Sequence, residues 1–168
     1  MVDDTSDPLH DPNQRTRRRQ GRSLDEVHEL VAARLRRSRQ RYTSSRRALI
    51  ELLVACNQPL TIYQILERTP SMPQSSAYRH MAALEQAAAV CRIVTTDDHA
   101  HFELAPDLTE PHHHLICTAC GLIVDFTFPK TFDNELERRL DGAARRHHFV
   151  PVDLRLDVPA TCMDCYQR

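Results

Sequence analysis

Two Cys-x-x-Cys pairs, Cys117-Thr118-Ala119-Cys120 and Cys162-Met163-Asp164-Cys165, stand 41 residues apart near the end of this 168-residue chain. They constrain the fold more than any other feature. Each pair lets two sulfurs converge from one tight turn, and two such turns complete the tetrahedral four-thiolate shell that zinc favours, at about 2.3 Å per bond. Gly121 directly follows the first pair and suits a sharp turn. Two other readings compete. Disulfides belong to exported chains, and Met1 to Asp11 is acidic and polar where a secretory signal would be basic and then apolar. A redox centre needs only one such pair. The expectation is a structural zinc held by Cys117, Cys120, Cys162 and Cys165, tying the last residues back to an earlier strand and supplying folding energy.

Composition narrows the function classes. Apolar runs such as Leu52 to Cys56 fall far short of the roughly 20 residues a membrane helix needs, so a cytoplasmic protein with no membrane partner is expected. Trp is absent and aromatic residues are scarce, which argues against an aromatic cage or an extended base-stacking platform. The net charge of -1 hides an asymmetry: up to Val94 there are 15 Arg against 10 acidic residues, and beyond it 7 basic against 13 acidic. A basic half followed by an acidic half suggests two modules, the first able to approach a polyanion.

Residues 1–22 read as a disordered basic tail, carrying Arg15, Arg17, Arg18, Arg19 and Arg22 and too little apolar surface to offset ordering entropy. Ser23 and Glu26 form a capping-box signal for a first helix with Leu24, Val27, Leu30, Val31 and Leu35 at helical spacing. A second helix opens at Thr43 or Ser44 and a third at Thr61. Pro73-Gln74-Ser75-Ser76 reads as a cap-rich turn before a fourth helix, whose buried stripe is Ala77, Met81, Leu84 and Ala88. That stripe leaves Ser75, Ser76, Tyr78, Arg79 and Ala82 facing elsewhere. Val90 to Thr95 and Ala100 to Leu104 flank Asp97-Asp98 as a hairpin. Helices followed by a hairpin make a winged helix-turn-helix.

Ala105 to Pro111, with two prolines and two acidic residues, reads as a hinge. Strands over His112 to Cys117 and Leu122 to Phe128 follow, then a helix from Phe132 to His147 with Leu136, Leu140 and Ala144 as its apolar face. A half-buried strand over Val150 to Val158 completes a β-β-α-β unit. The expected fold class is α+β: a winged-helix DNA-binding domain over residues 23–105, a hinge over 106–111, and a metal-binding dimerisation domain over 112–168. The open sheet edge suits pairing with a second copy.

His112-His113-His114 run directly into the first cysteine pair. Strand alternation puts His112 and His114 on one face and His113 on the other, and a His-x-His pair on a strand can hold one metal. His99 and His101 could form a similar pair in the wing, with solvated loop histidines as the alternative. Cys56 reads as a small core residue. Cys91 stands at the start of the wing, near the hinge.

From Arg36 to Cys165 the chain resembles the ferric uptake regulator family, the dimeric metal-sensing repressors of bacteria. The resemblance is carried by Pro73-Gln74-Ser75-Ser76-Ala77-Tyr78-Arg79, Phe102-Glu103, His112-His113-His114-Leu115-Ile116-Cys117-Thr118-Ala119-Cys120-Gly121, Val124-Asp125-Phe126 and Cys162-Met163-Asp164-Cys165. It implies that Tyr78 and Arg79 of a recognition helix contact operator DNA, beside Ser75 and Ser76, and that Arg41 makes a basic contact to the backbone. An Arg suits a guanine edge or a phosphate, and a Tyr a thymine methyl. The tail would add salt-sensitive attraction.

The resemblance also implies a regulatory metal site between the domains, filled by Glu103, His112 and His114 with Cys91 close by. Iron and peroxide sensors place a His where this chain has Gln58. Zinc sensors place an Asp at the position of Cys91 and a Cys at that of Ala105. One thiolate, one carboxylate and two imidazoles suit tetrahedral zinc better than octahedral iron, so the chain is most similar to zinc-sensing members, with an iron or peroxide sensor as the alternative. A third family site would use His113 and a carboxylate such as Asp125, Asp133 or Glu135, but its strand histidine is replaced by Leu154. An enzyme is not expected: no His-Glu-x-x-His occurs, and a four-thiolate shell leaves no position for water. A zinc-stabilised interaction module without DNA binding is the reading from a different class.

Overall fold

A computed structural model describes residues 22–56, 58–95, 99–151 and 154–167. Residues 1–21, most of the proposed tail, and Asp97-Asp98 of the proposed hairpin turn lie outside the described residues.

The N-terminal half is built from α1 (Leu24–Arg37), α2 (Ser44–Cys56), α3 (Ile62–Arg68) and α4 (Gln74–Gln86), with strands β1 (Leu60–Thr61), β2 (Val90–Val94) and β3 (Ala100–Leu104). The capping box at Ser23 and Glu26 forms in both directions, so the first helix starts where its sequence marks it. Thr61 and Gln64 make a second reciprocal box on α3. The four helices bury Val31, Leu35, Leu49, Ile50, Ile65 and Leu84 completely or nearly so, against Phe102 and Leu104 of β3. The wing sheet has the order β1-β3-β2. Sequence analysis missed β1, since two residues are too few to show a period.

Two expectations at α4 are corrected. Pro73, with extended backbone, is the N-cap and makes no side-chain cap bond, so Ser75 and Ser76 sit inside the first turn and do not cap it. The buried residues are Ala77, Met81, Ala83 and Leu84. Ala88 lies beyond the helix in the left-handed region at φ 53°, and Ala89, whose N–H returns to the Leu84 carbonyl, takes the buried place instead.

A turn of 3-10 helix, Pro106–Leu108, leads to β4 (His113–Cys117), β5 (Ile123–Phe126), α5 (Lys130–Arg146), β6 (Asp157–Ala160) and α6 (Met163–Tyr166). The order is β-β-α-β as expected, with α6 added. The last strand is shorter than the alternation predicts. It begins at Asp157 and runs parallel to β4, pairing His114 with Asp157 and Cys117 with Ala160. Just upstream, the Leu156 N–H donates to His113 Nδ1 and its carbonyl accepts from the His114 N–H, a local departure from strand pairing. The sheet order is β5-β4-β6.

Burial is uneven. No residue of α5 is buried: of its anticipated apolar face, Leu136 and Ala144 are half-buried and Leu140 is 40% exposed among the described residues. Across the sheet, Leu115 pairs with Val124 on one side and Val158 on the other, and all three are exposed.

Candidate metal centres and nucleic-acid face

The four cysteines of the two Cys-x-x-Cys pairs come together with all sulfurs within 4.8 Å of one another. The first turn is made by Gly121, in the left-handed region at φ 72°, whose N–H returns to the Cys117 carbonyl at 2.9 Å. Cys117 Sγ accepts from the Cys162 N–H at 3.3 Å. That bond, with those from Ala119 and Cys120, lowers the Cys117 thiol to about 6, so a thiolate is available at neutral pH. Cys120 and Cys162 sulfurs lie 3.8 Å apart, far beyond a disulfide bond of about 2.05 Å. A tetrahedron with bonds of about 2.3 Å has an edge of about 3.8 Å. The donors fit a structural zinc.

The second group is Glu103, His112 and His114, also within 4.8 Å of one another and buried. Glu103 comes from β3 of the wing, His112 from the residue before β4, and His114 from β4 itself. His112 Nε2 lies 3.2 Å and His114 Nε2 3.3 Å from the same oxygen, Glu103 Oε2. The far nitrogens fix the tautomers. His112 Nδ1 donates to the Glu110 carbonyl at 2.9 Å, and His114 Nδ1 donates to Asp157 Oδ1 at 2.8 Å. Each Nε2 therefore either carries a second proton or offers its lone pair to a cation. His114 Nε2 is buried and makes no well-aligned hydrogen bond, although Asp125 Oδ1 also lies 3.3 Å away. Two imidazole nitrogens facing one carboxylate, each held from behind, fit a divalent metal.

The electrostatics agree. Burial by itself disfavours charge on His114, but its contact with Glu103, the hydrogen bond to Asp157 and the charge of Asp125 outweigh it and raise its pKa. Burial likewise opposes ionisation of Glu103, and hydrogen bonds from His112 and His114 override it, holding the carboxyl well below the usual range.

Cys91, from β2, pairs in register with Glu103. Its thiol donates to Glu103 Oε1 at 3.4 Å, on the carboxylate oxygen turned away from the histidines, so it stands beside the trio. Burial and the negative charge of Glu103 push the thiol up to about 12. Arg155 Nη1 donates to Cys91 Sγ at 3.1 Å and to Glu103 Oε1 at 3.2 Å. Sequence reasoning missed Arg155 and Asp157 at this centre. The available signal was that alternation sets both charges on one face, opposite Leu154 and Leu156.

The remaining histidines are placed differently. His113 Nδ1 accepts from the Leu156 N–H, and its Nε2 lies 3.2 Å from Asp133 Oδ1, among the rings of Phe126 and Phe128. Asp125, considered with His113, stands instead beside His114. His101 is buried with Nδ1 3.2 Å from the His99 carbonyl, and His99 packs edge-on against Tyr63. His113, His99 and His101 join neither of the metal-type groups among the described residues.

On the helix-turn-helix, Ser75, Tyr78 and Arg79 are exposed on the first two turns of α4, and Ser76 is half-buried. Arg79 Nη2 donates to Ser76 Oγ at 3.3 Å. Arg41 is exposed in the segment before α2. That segment is pinned from below by Arg46, a buried guanidinium donating to the Arg41 carbonyl at 2.5 Å and to Gln40 Oε1 at 3.0 Å.

Comparison with known proteins gives the class. The family model described as the ferric uptake regulator family matches residues 37–158. The peroxide operon regulator of Bacillus subtilis (strain 168) is 30% identical over 149 residues, 84% of this chain and 97% of the relative. The peroxide-responsive repressor PerR of Staphylococcus aureus (strain USA300) is 28% identical over 147 residues, covering 85% and 93% of the two chains. Among solved structures, the ferric uptake regulator of Helicobacter pylori shares the fold with a TM-score of 0.64 at 19% identity, over 86% of this chain and 95% of that one. A zinc-bound manganese uptake regulator matches with a TM-score of 0.54 at 25% identity, over 82% and 98%. The chain belongs to the ferric uptake regulator family. Its named relatives are transcriptional regulators, and among the described residues no helix is long and apolar enough to cross a membrane.

Proposed function

We propose that this chain is a zinc-responsive transcriptional repressor that binds operator DNA as a homodimer and controls metal-uptake genes from the cytoplasm. The observation that carries the reading is the convergence of His112 and His114 on Glu103 of the wing, across residues 106–111, with Cys91 on the other side of the same carboxylate. Bound zinc would supply one positive centre between the two Nε2 atoms and the Glu103 carboxylate. Glu103 and Cys91 belong to the DNA-reading half, and His112 and His114 to the sheet, so this donor set fixes the relative orientation of residues 23–105 and 112–168. A tenfold change in operator affinity needs only about 1.4 kcal/mol of coupling.

Ser75, Ser76, Tyr78 and Arg79 would enter the major groove, and Arg41 would meet the phosphate backbone. The second copy would cover the exposed row Val124–Leu115–Val158 and the partly covered α5. A second reading, an iron- or peroxide-responsive repressor, is favoured by Asp125 Oδ1 at 3.3 Å from His114 Nε2, which offers an oxygen where zinc would take the Cys91 thiolate. Operator binding by fluorescence anisotropy across zinc and iron titrations, with metal content by elemental analysis, tests both. Two zinc per protomer with DNA affinity rising at the second is the expected result. The variant His112→Ala/His114→Ala should lose the metal response and keep its fold; a full response in that variant would reject the site.

A further inference from the structure

Arg155 links the same two halves of the chain as the proposed metal. Its Nη1 reaches Cys91 Sγ at 3.1 Å and Glu103 Oε1 at 3.2 Å on the wing. Its Nη2 reaches Asp157 Oδ2 at 3.2 Å and its Nε reaches Asp157 Oδ1 at 3.1 Å on the last strand. The side chain is 19% exposed, so the guanidinium is largely shielded from water. Asp157 Oδ1 is also the oxygen that orients His114. One cation thus touches a thiol, the Glu103 carboxylate and the carboxylate behind a histidine, all belonging to the regulatory centre.

We propose that Arg155 is an internal counter-cation of the regulatory centre, which an incoming divalent ion must displace from Cys91 and Glu103, so that this residue sets the metal concentration at which the centre fills. The proposal rests on the zinc reading above for the part played by Cys91. The physical basis is competition between like charges. A fixed guanidinium neutralises the donors that attract a divalent ion, and its positive charge repels that ion at contact range. Even through a water-like medium such a repulsion reaches about the 1.4 kcal/mol that a tenfold change in affinity represents. A single nitrogen, Nη1, occupies both the Cys91 sulfur and the Glu103 oxygen, so the ion gains Cys91 as a donor only once the arginine has left. Asp157 gives the displaced guanidinium a partner it already holds.

The test uses the full chain with zinc retained in the four-cysteine centre. Zinc affinity of the second centre is measured by competition with a chromophoric chelator for wild type, Arg155→Gln and Arg155→Lys. The neutral variant should bind zinc at least about tenfold more tightly, and the lysine variant, which keeps the charge, should stay near wild type. Equal or weaker binding by Arg155→Gln would overturn the proposal. So would a lysine variant that tightens as much as the glutamine one, because a merely structural arginine would be lost in both. Cobalt titration separates this proposal from the reading beneath it. A thiolate-to-cobalt charge-transfer band in Arg155→Gln that disappears in Arg155→Gln/Cys91→Ser supports both. Tightened zinc binding with no such band would strike Cys91 from the ligand set and leave the counter-cation standing on Glu103.

Discussion

Removing the structural zinc should unfold the C-terminal half while the winged helix survives. Among the described residues, 23 hydrophobic side chains are buried, and only Ile116 and Cys117 of them lie beyond Leu108. Burying one isoleucine contributes about 1.5–3 kcal/mol, whereas ordering the backbone of β4, β5 and β6 costs about 1–2 kcal/mol for each residue fixed. A structural zinc contributes roughly 10–16 kcal/mol, as much as the whole stability of an ordinary domain at about 5–15 kcal/mol. The sheet therefore depends on its metal in a way that the helical core, with Leu35, Leu49, Ile65 and Leu84, does not. Hydrogen exchange read by mass spectrometry, before and after stripping with a strong chelator, separates the halves. Peptides covering β4 to β6 should lose protection together, and those covering α1 to α4 should keep most of theirs. Unchanged protection of β4 to β6, with zinc loss verified by elemental analysis, would refute this accounting of where the stability resides.

Three further outcomes follow from the geometry. Asp157→Ala removes the carboxylate that orients His114 and should weaken regulatory metal binding about 10- to 100-fold, measured by chelator competition. With the structural zinc kept and the regulatory metal withheld, stability should peak between about pH 4.3 and 6.5. The depressed Glu103 carboxyl contributes above its unfolded pKa, and this is lost as pH falls through the folded value. The raised His114 contributes below its unfolded pKa, and this is lost as pH rises through the folded value. A thermal midpoint that climbs between pH 6.5 and 8 would contradict this. Arg79→Ala should cost about 1–3 kcal/mol of operator binding if the side chain reads a base, and anisotropy with matched and scrambled duplexes measures the loss.

Local signals carried the helices. Ser23 and Glu26 mark the first turn of α1 chemically, and the structure forms both of their bonds. The four-thiolate cluster was equally legible, because its spacing states its own geometry. The environment of the regulatory centre was not. Arg155 meets Glu103 at a sequence separation of 52 and Cys91 at one of 64, and no periodicity encodes such a meeting. Its segment reads as a half-buried strand with charges turned to water, a pattern that most charged strand residues satisfy. Helix α5 shows the complementary limit. Leu136, Leu140 and Ala144 do form an apolar stripe, but the described residues leave it only partly covered.

The parallel register of β4 and β6 places the two metal centres on one strand, with Cys117 opposite Ala160 and His114 opposite Asp157. A slip of one residue would swing Asp157 to the opposite side of the sheet and leave the His114 ring unsupported. Loading would then have an order. An ion gripped by the thiolates would align the strand that carries His114, so a newly made chain without the first ion would present the second centre out of register.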